Sequence, residues 1–308
     1  MLDAALAAEL DRASADELLL SARRAADSLH AGRHRSRLLG AGVEFFDHRG
    51  YEPGDAPGRI DWRAYGRTDR LLVRRAAQES RREVILSIDR SVSMRFRGLD
   101  ARDRSPGERR SSDGRGPGPS KFRSAQEIAA ALAFVAVRQG DVVKVAGEAP
   151  SLTGPVGSER AIRRIAELEL SSELAGADAF REAAAIAPAS GAIVLVVTDG
   201  LDEADRLAAA MAQIRTRLAR SALGVVQVLT REELSPPTMS DTRFRDPETG
   251  RRSLCADDEI SRRAMELIAR HINAFRALVH KTGGRHILAS PGEPAADVLR
   301  RLGAALRA

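Results

Sequence analysis

Cysteine, lysine, aromatic residues and long apolar runs are all scarce in this sequence. Cys255 is the only cysteine in 308 residues, which excludes an internal disulfide and any zinc site built from several cysteines. No catalytic-cysteine signature surrounds Cys255, so we interpret it as incidental. The longest nearly uninterrupted apolar stretch, residues 128–137, has about half of the ~20 residues that cross a bilayer. Because the first residues also lack a signal-peptide pattern, we expect a cytoplasmic protein without a membrane span.

The chain is basic, and its positive charge comes almost entirely from arginine. The formal net charge is +6 and the sequence pI is about 10.3. Only three of the 49 basic residues are lysines, at positions 121, 144 and 281. We interpret this arginine bias as a sign of GC-rich coding rather than of a dedicated basic surface. Hydrophobic residues make up 43% and charged residues 30% of the chain, which is typical of a folded globular protein.

We expect an N-terminal module over residues 1–82 and a larger α/β domain over residues 83–308. Apolar residues at helical spacing over residues 2–29 predict a helical lead-in. Ser14 and Asp16 interrupt this spacing and are candidate N-caps for a second helix. The Gly, Pro and Asp turns that follow predict a small unit with short strands.

Short apolar runs alternate with helical segments from Glu83 onward, which predicts a parallel sheet. The predicted strands are residues 84–88, 142–146, 193–197, 223–229 and 286–289. The third run is Ile-Val-Leu-Val-Val, without the polar alternation of a half-exposed strand, as expected of a central strand covered on both faces. An apolar stripe over residues 260–279 predicts a long helix that ends at Gly283. His271 lies on this stripe, and we interpret it as a satisfied core histidine.

Two polar segments interrupt the predicted domain. Residues 95–120 are rich in Gly, Pro and Arg with almost nothing apolar, which predicts a mobile loop. Residues 235–254 contain the turn sequence Asp-Pro-Glu-Thr-Gly, which predicts a hairpin-like insertion at the edge of the sheet.

Polar side chains that could bind a ligand cluster at the ends of two predicted strands. Asp89, Ser91 and Ser93 follow the first strand of the domain, and Asp199 follows the buried central strand. Ligands of open parallel sheets bind beyond the carboxyl ends of the strands, where the strand order reverses. Carboxylate and hydroxyl oxygens are the ligands that Mg²⁺, Mn²⁺ and Ca²⁺ prefer. The sequence therefore indicates a site that binds rather than one that cleaves.

The run Asp89-Arg90-Ser91-Val92-Ser93, followed by Met94, resembles the metal-ion-dependent adhesion site of von Willebrand factor A domains. Further short motifs upstream narrow the resemblance: Gly42-Val43-Glu44-Phe45, Arg49-Gly50-Tyr51, Pro53-Gly54-Asp55, Arg59-Ile60-Asp61-Trp62 and Glu79. In this combination the chain is similar to the bacterial domain-of-unknown-function family fifty-eight (DUF58), over roughly residues 35–306.

The resemblance implies a von Willebrand factor A-like (Rossmann-like) α/β fold. A doubly wound, mostly parallel sheet would carry helices on both faces, behind an N-terminal helical and short-strand extension. It also implies a partner, because genes of this family commonly neighbour those of MoxR-type AAA+ ATPases. The implied function is that of a non-enzymatic interaction module, an accessory to such an ATPase in the assembly or activation of client proteins.

A divalent-metal site for Mg²⁺ or Mn²⁺ is a further implication of the resemblance. Its candidate ligands are Asp89, Ser91, Ser93, Asp178 and Asp199. One departure from the family pattern is Ala177, which stands where such sites usually have Thr, so Asp178 or a water would have to compensate. The alternative is a structural loop in which Asp89 accepts backbone N–H bonds and the serines cap the turn.

A metal-dependent hydrolase or phosphatase is the enzymatic alternative. Haloacid-dehalogenase-type enzymes need a second Asp two residues after the first, where this chain has Ser91. The sequence also lacks the nucleophile-elbow, P-loop and zinc-protease motifs. His30 and His34 lie one helical turn apart inside a basic run, and no third ligand accompanies them. We therefore expect no enzymatic activity.

Nucleic-acid binding is the other alternative, because residues 59–82 hold eight arginines around Trp62 and Tyr65. Such binding requires the basic charge to gather on one face. Two interpretations of this segment stay open. In one, Trp62 packs on the main domain and the arginines pair with Asp61, Asp69 and Glu79. In the other, a partner docks on Arg59, Trp62, Arg63 and Arg67.

Overall fold

A computed structural model describes residues 15–31, 48–53, 55, 60–74, 82–98, 119–147, 157–188, 191–217, 221–235, 242–245, 252–255 and 258–307. The chain divides into two compact units, Gly40–Arg81 and the remainder.

The larger unit is built on a five-stranded parallel sheet. Its strands are β3 (Glu83–Ile88), β4 (Val142–Val145), β5 (Ile193–Thr198), β6 (Ala222–Val228) and β9 (Arg285–Ala289). The order across the sheet is β4-β3-β5-β6-β9, and every neighbouring pair is parallel. After β4 the chain crosses back past β3 to form β5, so the strand order reverses between β3 and β5. All five predicted strands are present.

Helices cover both faces of this sheet. One face packs against α1 (Ala15–Ala31), α3 (Lys121–Arg138), α4 (Gly157–Glu167) and α9 (Ala295–Arg307). The other packs against α5 (Gly176–Ile186), α6 (Ala204–Arg217) and α8 (Asp258–Lys281). Side chains of β3 alternate between the two cores, with Val84 and Leu86 in the first and Ile85 in the second, as the two-residue period of a strand requires. The doubly wound α/β fold class is thereby confirmed.

Helix α1 belongs to the larger unit. Its buried residues Leu18, Ala22 and Ala26 join the core on the α3 face of the sheet. The sequence analysis assigns this helix to the N-terminal module of residues 1–82, whereas in the structure it belongs to the larger unit. The difference arises because a linear pattern does not show which part of the chain an apolar stripe will contact. The first predicted helix and the candidate cap Ser14 lie outside the described residues.

The smaller unit contains β1 (His48–Gly50), α2 (Trp62–Thr68) and β2 (Leu72–Arg74). β1 and β2 pair antiparallel. Helix α2 begins after Asp61, whose carboxylate accepts from the backbone N–H groups of Arg63 and Ala64 at 3.1 Å each. This N-cap explains why a helix forms in so short a segment.

The remaining elements are α7 (Arg231–Leu234) and the strands β7 (Thr242–Arg245) and β8 (Arg252–Cys255). β7 and β8 pair antiparallel, within the segment expected to be hairpin-like. The long predicted helix is α8, and Gly283 follows it with a φ of +80°, which suits a glycine helix stop. Most of the predicted loop at residues 95–120 lies outside the described residues. No helix in the described part of the chain is both long and apolar enough to cross a membrane.

Candidate functional site

The loop after β3 is held by a network around a fully buried carboxylate. Asp89 has an exposed fraction of 0%. Its Oδ1 accepts from the backbone N–H of Ser91 at 2.8 Å, and its Oδ2 accepts from the Thr198 hydroxyl at 2.6 Å. The hydroxyls of Ser91 and Ser93 lie 3.0 Å apart. The hydrogen bond from Thr198 to Asp89 therefore joins the end of β5 to the loop after β3, across the point where the strand order reverses.

Helix α5 begins directly against this carboxylate. A Cβ added at Gly176 would lie 2.9 Å from Asp89 Oδ2. The backbone N–H of Ala177 donates to Asp202 Oδ2 at 3.0 Å. At the position where metal sites of this kind usually have Thr, the backbone thus binds a further carboxylate, that of Asp202. Asp202 was not among the predicted site residues.

Burial shapes the titration of Asp89. Burial, together with the negative charge of Asp199, raises the pKa of Asp89 to about 6, against the lowering effect of its bonds from Ser91 and Thr198. Asp89 and Asp199 therefore interact electrostatically, as their places at adjacent strand ends predict.

Asp199 binds a cation that belongs to the chain itself. Its Oδ2 accepts from Lys121 Nζ at 2.8 Å, and its Oδ1 accepts from the backbone N–H of Leu201 at 3.0 Å. The same ammonium donates to Glu233 Oε1 at 2.6 Å. Lys121, the first residue of α3, is fully buried. These contacts join α3 to the segments that follow β5 and β6.

The charged state of Lys121 follows from this pairing. Burial by itself lowers the pKa of Lys121, but the carboxylates of Asp199 and Glu233 outweigh burial and raise it above the ordinary value. Glu233 is fixed in turn, because its other oxygen accepts from the backbone N–H and the hydroxyl of Thr230 at 2.7 and 3.1 Å. We name the three residues Lys121, Asp199 and Glu233 the buried triad.

Sequence reasoning missed Lys121, Glu233 and Thr198. The sequence contains signals for Lys121 and Glu233. Lys121 is one of three lysines in an arginine-rich chain and follows Ser120, whose hydroxyl caps α3 by accepting from the backbone N–H of Arg123. Thr230 and Glu233 have capping-box spacing. The sequence does not show that the starts of α3 and α7, which contain Lys121 and Glu233, lie close together in space.

Asp178, predicted as a metal ligand, has hydrogen bonds to both of its carboxylate oxygens at the start of α5. Its Oδ2 accepts from the backbone N–H of Ala175 at 2.9 Å, and its Oδ1 accepts from Arg181 at 2.7 Å. Partial burial raises the pKa of Asp178, but these two bonds outweigh it, and the net shift is downward. Both oxygens therefore stabilise the start of α5.

The implied metal can be tested against this geometry. The 3.0 Å between the two serine hydroxyls fits neighbouring ligands of an octahedral Mg²⁺, which are about 3 Å apart when each bond is ~2.1 Å. The other groups do not fit: Asp178 caps its own helix, Asp199 accepts from an ammonium, and Ala177 has no side-chain oxygen. Among the described residues, no three His, Cys, Asp or Glu side chains are placed to hold one ion. The residues present therefore do not fit the ligand set that the resemblance implies. Metal binding itself stays a prediction.

Behind the site, a hydrogen-bond chain links β9 to Asp199. His286 Nε2 lies 2.9 Å from Gln227 Oε1, and Gln227 Nε2 donates to the backbone carbonyl of Asp199 at 2.9 Å. His271 Nε2 lies 2.5 Å from the carbonyl of Gly200. His271 is half-buried and bonded to backbone, which agrees with its interpretation as a satisfied histidine.

We expect His286 to contribute acid sensitivity. Burial, with the positive charges of Arg276 and His280, lowers the pKa of His286 to about 4. An unfolded histidine titrates near ~6.5, so the unfolded state takes up the proton first and stability falls as the pH drops from about 6.5 toward 4. His286→Gln should lose less stability than the wild type between about pH 7 and pH 5, measured by urea unfolding. An equal loss in both proteins would refute the assignment.

In the smaller unit, three of the four predicted partner-binding residues are described, and Arg59 lies outside the described residues. Trp62 is 61% exposed and contacts Tyr65 edge-to-face, with ring centroids 6.3 Å apart. Arg63 and Arg67, one helical turn apart on α2, are also exposed. The Asp61 carboxylate caps α2 by accepting from backbone N–H groups.

Comparison with known proteins places this fold in a family. The model of the "Protein of unknown function DUF58" family matches residues 47–274. The chain belongs to the DUF58 family. No curated protein matches it. The predicted resemblance is confirmed, while the match by itself assigns no activity.

Two solved structures are similar to this DUF58 chain at low identity. One is an aerotolerance-related membrane protein from Bacteroides fragilis, with 16% identity, a TM-score of 0.41, and coverage of 73% of this chain and 98% of that one. The other is the conserved hypothetical protein BatB from Bacteroides thetaiotaomicron, with 18% identity, a TM-score of 0.40 and the same coverage.

Proposed function

We propose that this DUF58 protein is a non-enzymatic interaction module that works beside a MoxR-type AAA+ ATPase in the assembly or activation of client proteins. Its partner-binding surface is the carboxyl edge of the sheet, which we define as residues 89–98, 199–203 and 229–235. The observation that supports this proposal is the network at the strand-order reversal. The polar groups there are bonded to one another, which yields a rigid surface at the place where α/β sheets bind ligands.

The same network argues against catalysis. A nucleophile needs a neighbouring base and access to its substrate, but Asp89 is fully buried. Within the described residues, the Ser91 and Ser93 hydroxyls bond to each other and to no histidine. We therefore expect no turnover of generic phosphate esters, with or without Mg²⁺. Turnover that is lost in Asp89→Asn would support the hydrolase alternative.

Charge exposed at the carboxyl edge provides the means to test the partner surface. Arg95 is exposed in the 3₁₀ turn Val92–Arg95 that follows the Asp89 loop. Arg217 is another exposed arginine, at the end of α6. Because α6 runs back from the carboxyl edge, Arg217 lies toward the opposite edge and offers a charge-matched control.

We expect Arg95→Glu to weaken binding to the purified ATPase by about tenfold or more, because reversing a charge in an interface replaces attraction by repulsion. Arg217→Glu should bind as the wild type does. Affinity is measured by surface plasmon resonance at two salt concentrations, and the wild-type affinity should fall with added salt. Equal affinities for the two variants would place the partner elsewhere.

The smaller unit offers a second candidate surface, supported by the exposure of Trp62 beside Arg63 and Arg67. Tryptophan and arginine are the side chains that most often dominate protein interfaces, and they also stack on nucleic-acid bases. Trp62 is the only tryptophan of the chain, so its fluorescence reports on this surface alone. A change on adding the ATPase supports a docking role, whereas a salt-sensitive change on adding single-stranded nucleic acid supports the nucleic-acid alternative.

A further inference from the structure

A buried ammonium lies against one of the carboxylates that the sequence assigns to a metal. Lys121 Nζ is 2.8 Å from Asp199 Oδ2 and 2.6 Å from Glu233 Oε1. We propose that Lys121 is the resident cation of this site and takes the place of the divalent ion, so that the carboxyl edge binds its partner without Mg²⁺ or Mn²⁺. The inference deepens the proposed function, on which its statement about partner binding rests.

The position of Lys121 is unfavourable unless its charge is needed there. A cation in the first turn of a helix opposes the helix dipole, and a fully buried charge loses its hydration. Lys121 has both disadvantages, since it begins α3 with an exposed fraction of 0%. Two carboxylates that are themselves largely buried, with side-chain exposures of 2% for Asp199 and 17% for Glu233, offset these costs.

The ammonium and a divalent ion would compete for the same carboxylate. An ion bound to Asp199 would lie a few ångströms from Lys121 Nζ, and two positive charges repel strongly at that distance in a protein interior. The Lys121 side chain is fully buried, so it cannot move out into solvent to make room for the ion. Its backbone N–H also donates to the carbonyl of Phe96 at 3.0 Å, which fixes the start of α3 against the Asp89 loop.

The other members of the expected ligand set point the same way. Asp178 is engaged in capping α5, and Ala177 adds no side-chain oxygen. The serine hydroxyls and Asp89 remain, with a single carboxylate among them. Removing the lysine charge would leave Asp199 and Glu233 without the ammonium that each now binds. Their oxygens, with that of Asp89 nearby, would then attract a divalent ion.

The test is a Mn²⁺ titration of the full chain, in which binding is measured by calorimetry and by the EPR signal of free Mn²⁺. Wild type is expected to show no binding at millimolar Mn²⁺. Lys121→Met should bind at least about tenfold more tightly than the wild type, because a neighbouring positive charge is gone. Its thermal midpoint should rise on adding Mn²⁺. Lys144→Met is the matched control: it removes a lysine paired with Glu83 at 2.7 Å in the same sheet and should stay insensitive to Mn²⁺.

Two results would overturn the inference. One is a wild type that binds one Mn²⁺ per chain and loses it in Ser93→Ala. The other is a folded Lys121→Met that gains no Mn²⁺ affinity. If Lys121→Met does not fold, the double variant Lys121→Met with Glu233→Gln removes the excess negative charge and keeps Asp89 and Asp199 for the same titration. The titration contains no ATPase, so its failure is distinguishable from a failure of the partner-binding test.

Discussion

Lys121→Met is expected to lower the free energy of unfolding by about 3–5 kcal/mol, because removing one partner of a buried ion pair leaves the other charge without compensation. Two carboxylates, Asp199 and Glu233, lose their cation together in this variant. Methionine fills much of the volume of the lysine stem, so the loss reports mainly on charge rather than on a cavity. The measurement is urea unfolding near neutral pH.

The control for this prediction is again Lys144→Met. The Lys144–Glu83 pair is partly exposed, with side-chain exposures of 23% and 32%, and such pairs contribute about 1 kcal/mol or less. Adding Glu233→Gln to Lys121→Met should recover part of the lost stability, because one unpaired carboxylate is removed. If Lys121→Met and Lys144→Met lose similar free energies of unfolding, the buried triad contributes no more to stability than a partly exposed ion pair.

Gly200→Ala is expected to lower the free energy of unfolding by about 2–5 kcal/mol, from a left-handed backbone cost of ~1–2 kcal/mol and a steric cost of ~1–3 kcal/mol. Gly200 follows Asp199 with a φ of +65°. An added Cβ would lie 2.9 Å from Cε1 of the Phe275 ring. That ring is buried between Phe180 and His286, so it has little room to move.

Gly191→Ala separates the two costs. Gly191 also has a positive φ, of +76°, but an added Cβ there would meet nothing within 4 Å. It should therefore lose only the backbone cost of about 1–2 kcal/mol. Equal losses in the two variants, measured by urea unfolding, would mean that Phe275 yields and that the turn after β5 is less rigid than the contacts indicate.

The strands and the position of the site could be predicted because their causes are local. The run at Ile193–Thr198 contains no polar residue before Thr198, which is the pattern of a strand buried on both faces. Asp89 and Asp199 end neighbouring strands, so parallel pairing brings them to one edge of the sheet. The strand-order reversal between β3 and β5 then makes that edge the binding edge.

The chemistry at the edge could not be predicted, because it depends on contacts between distant parts of the chain. Lys121 and Asp199 are separated by 78 positions and Lys121 and Glu233 by 112, and no periodicity encodes either pair. Asp178 shows the converse limit. The same Asp near a helix start can bind a metal or cap the helix, and only the positions of Ala175 and Arg181 decide between these roles.

Hydrogen–deuterium exchange of the DUF58 chain, alone and with the purified ATPase, tests the proposed partner surface most directly. We predict slower amide exchange in residues 89–98 and 199–203 when the ATPase is bound, with α4 and the end of α6 around Arg217 unchanged. Protection should persist in Ser93→Ala if no metal is required. Protection confined to Trp62–Thr68, or absent from both strand-end segments while the complex forms, would contradict the account.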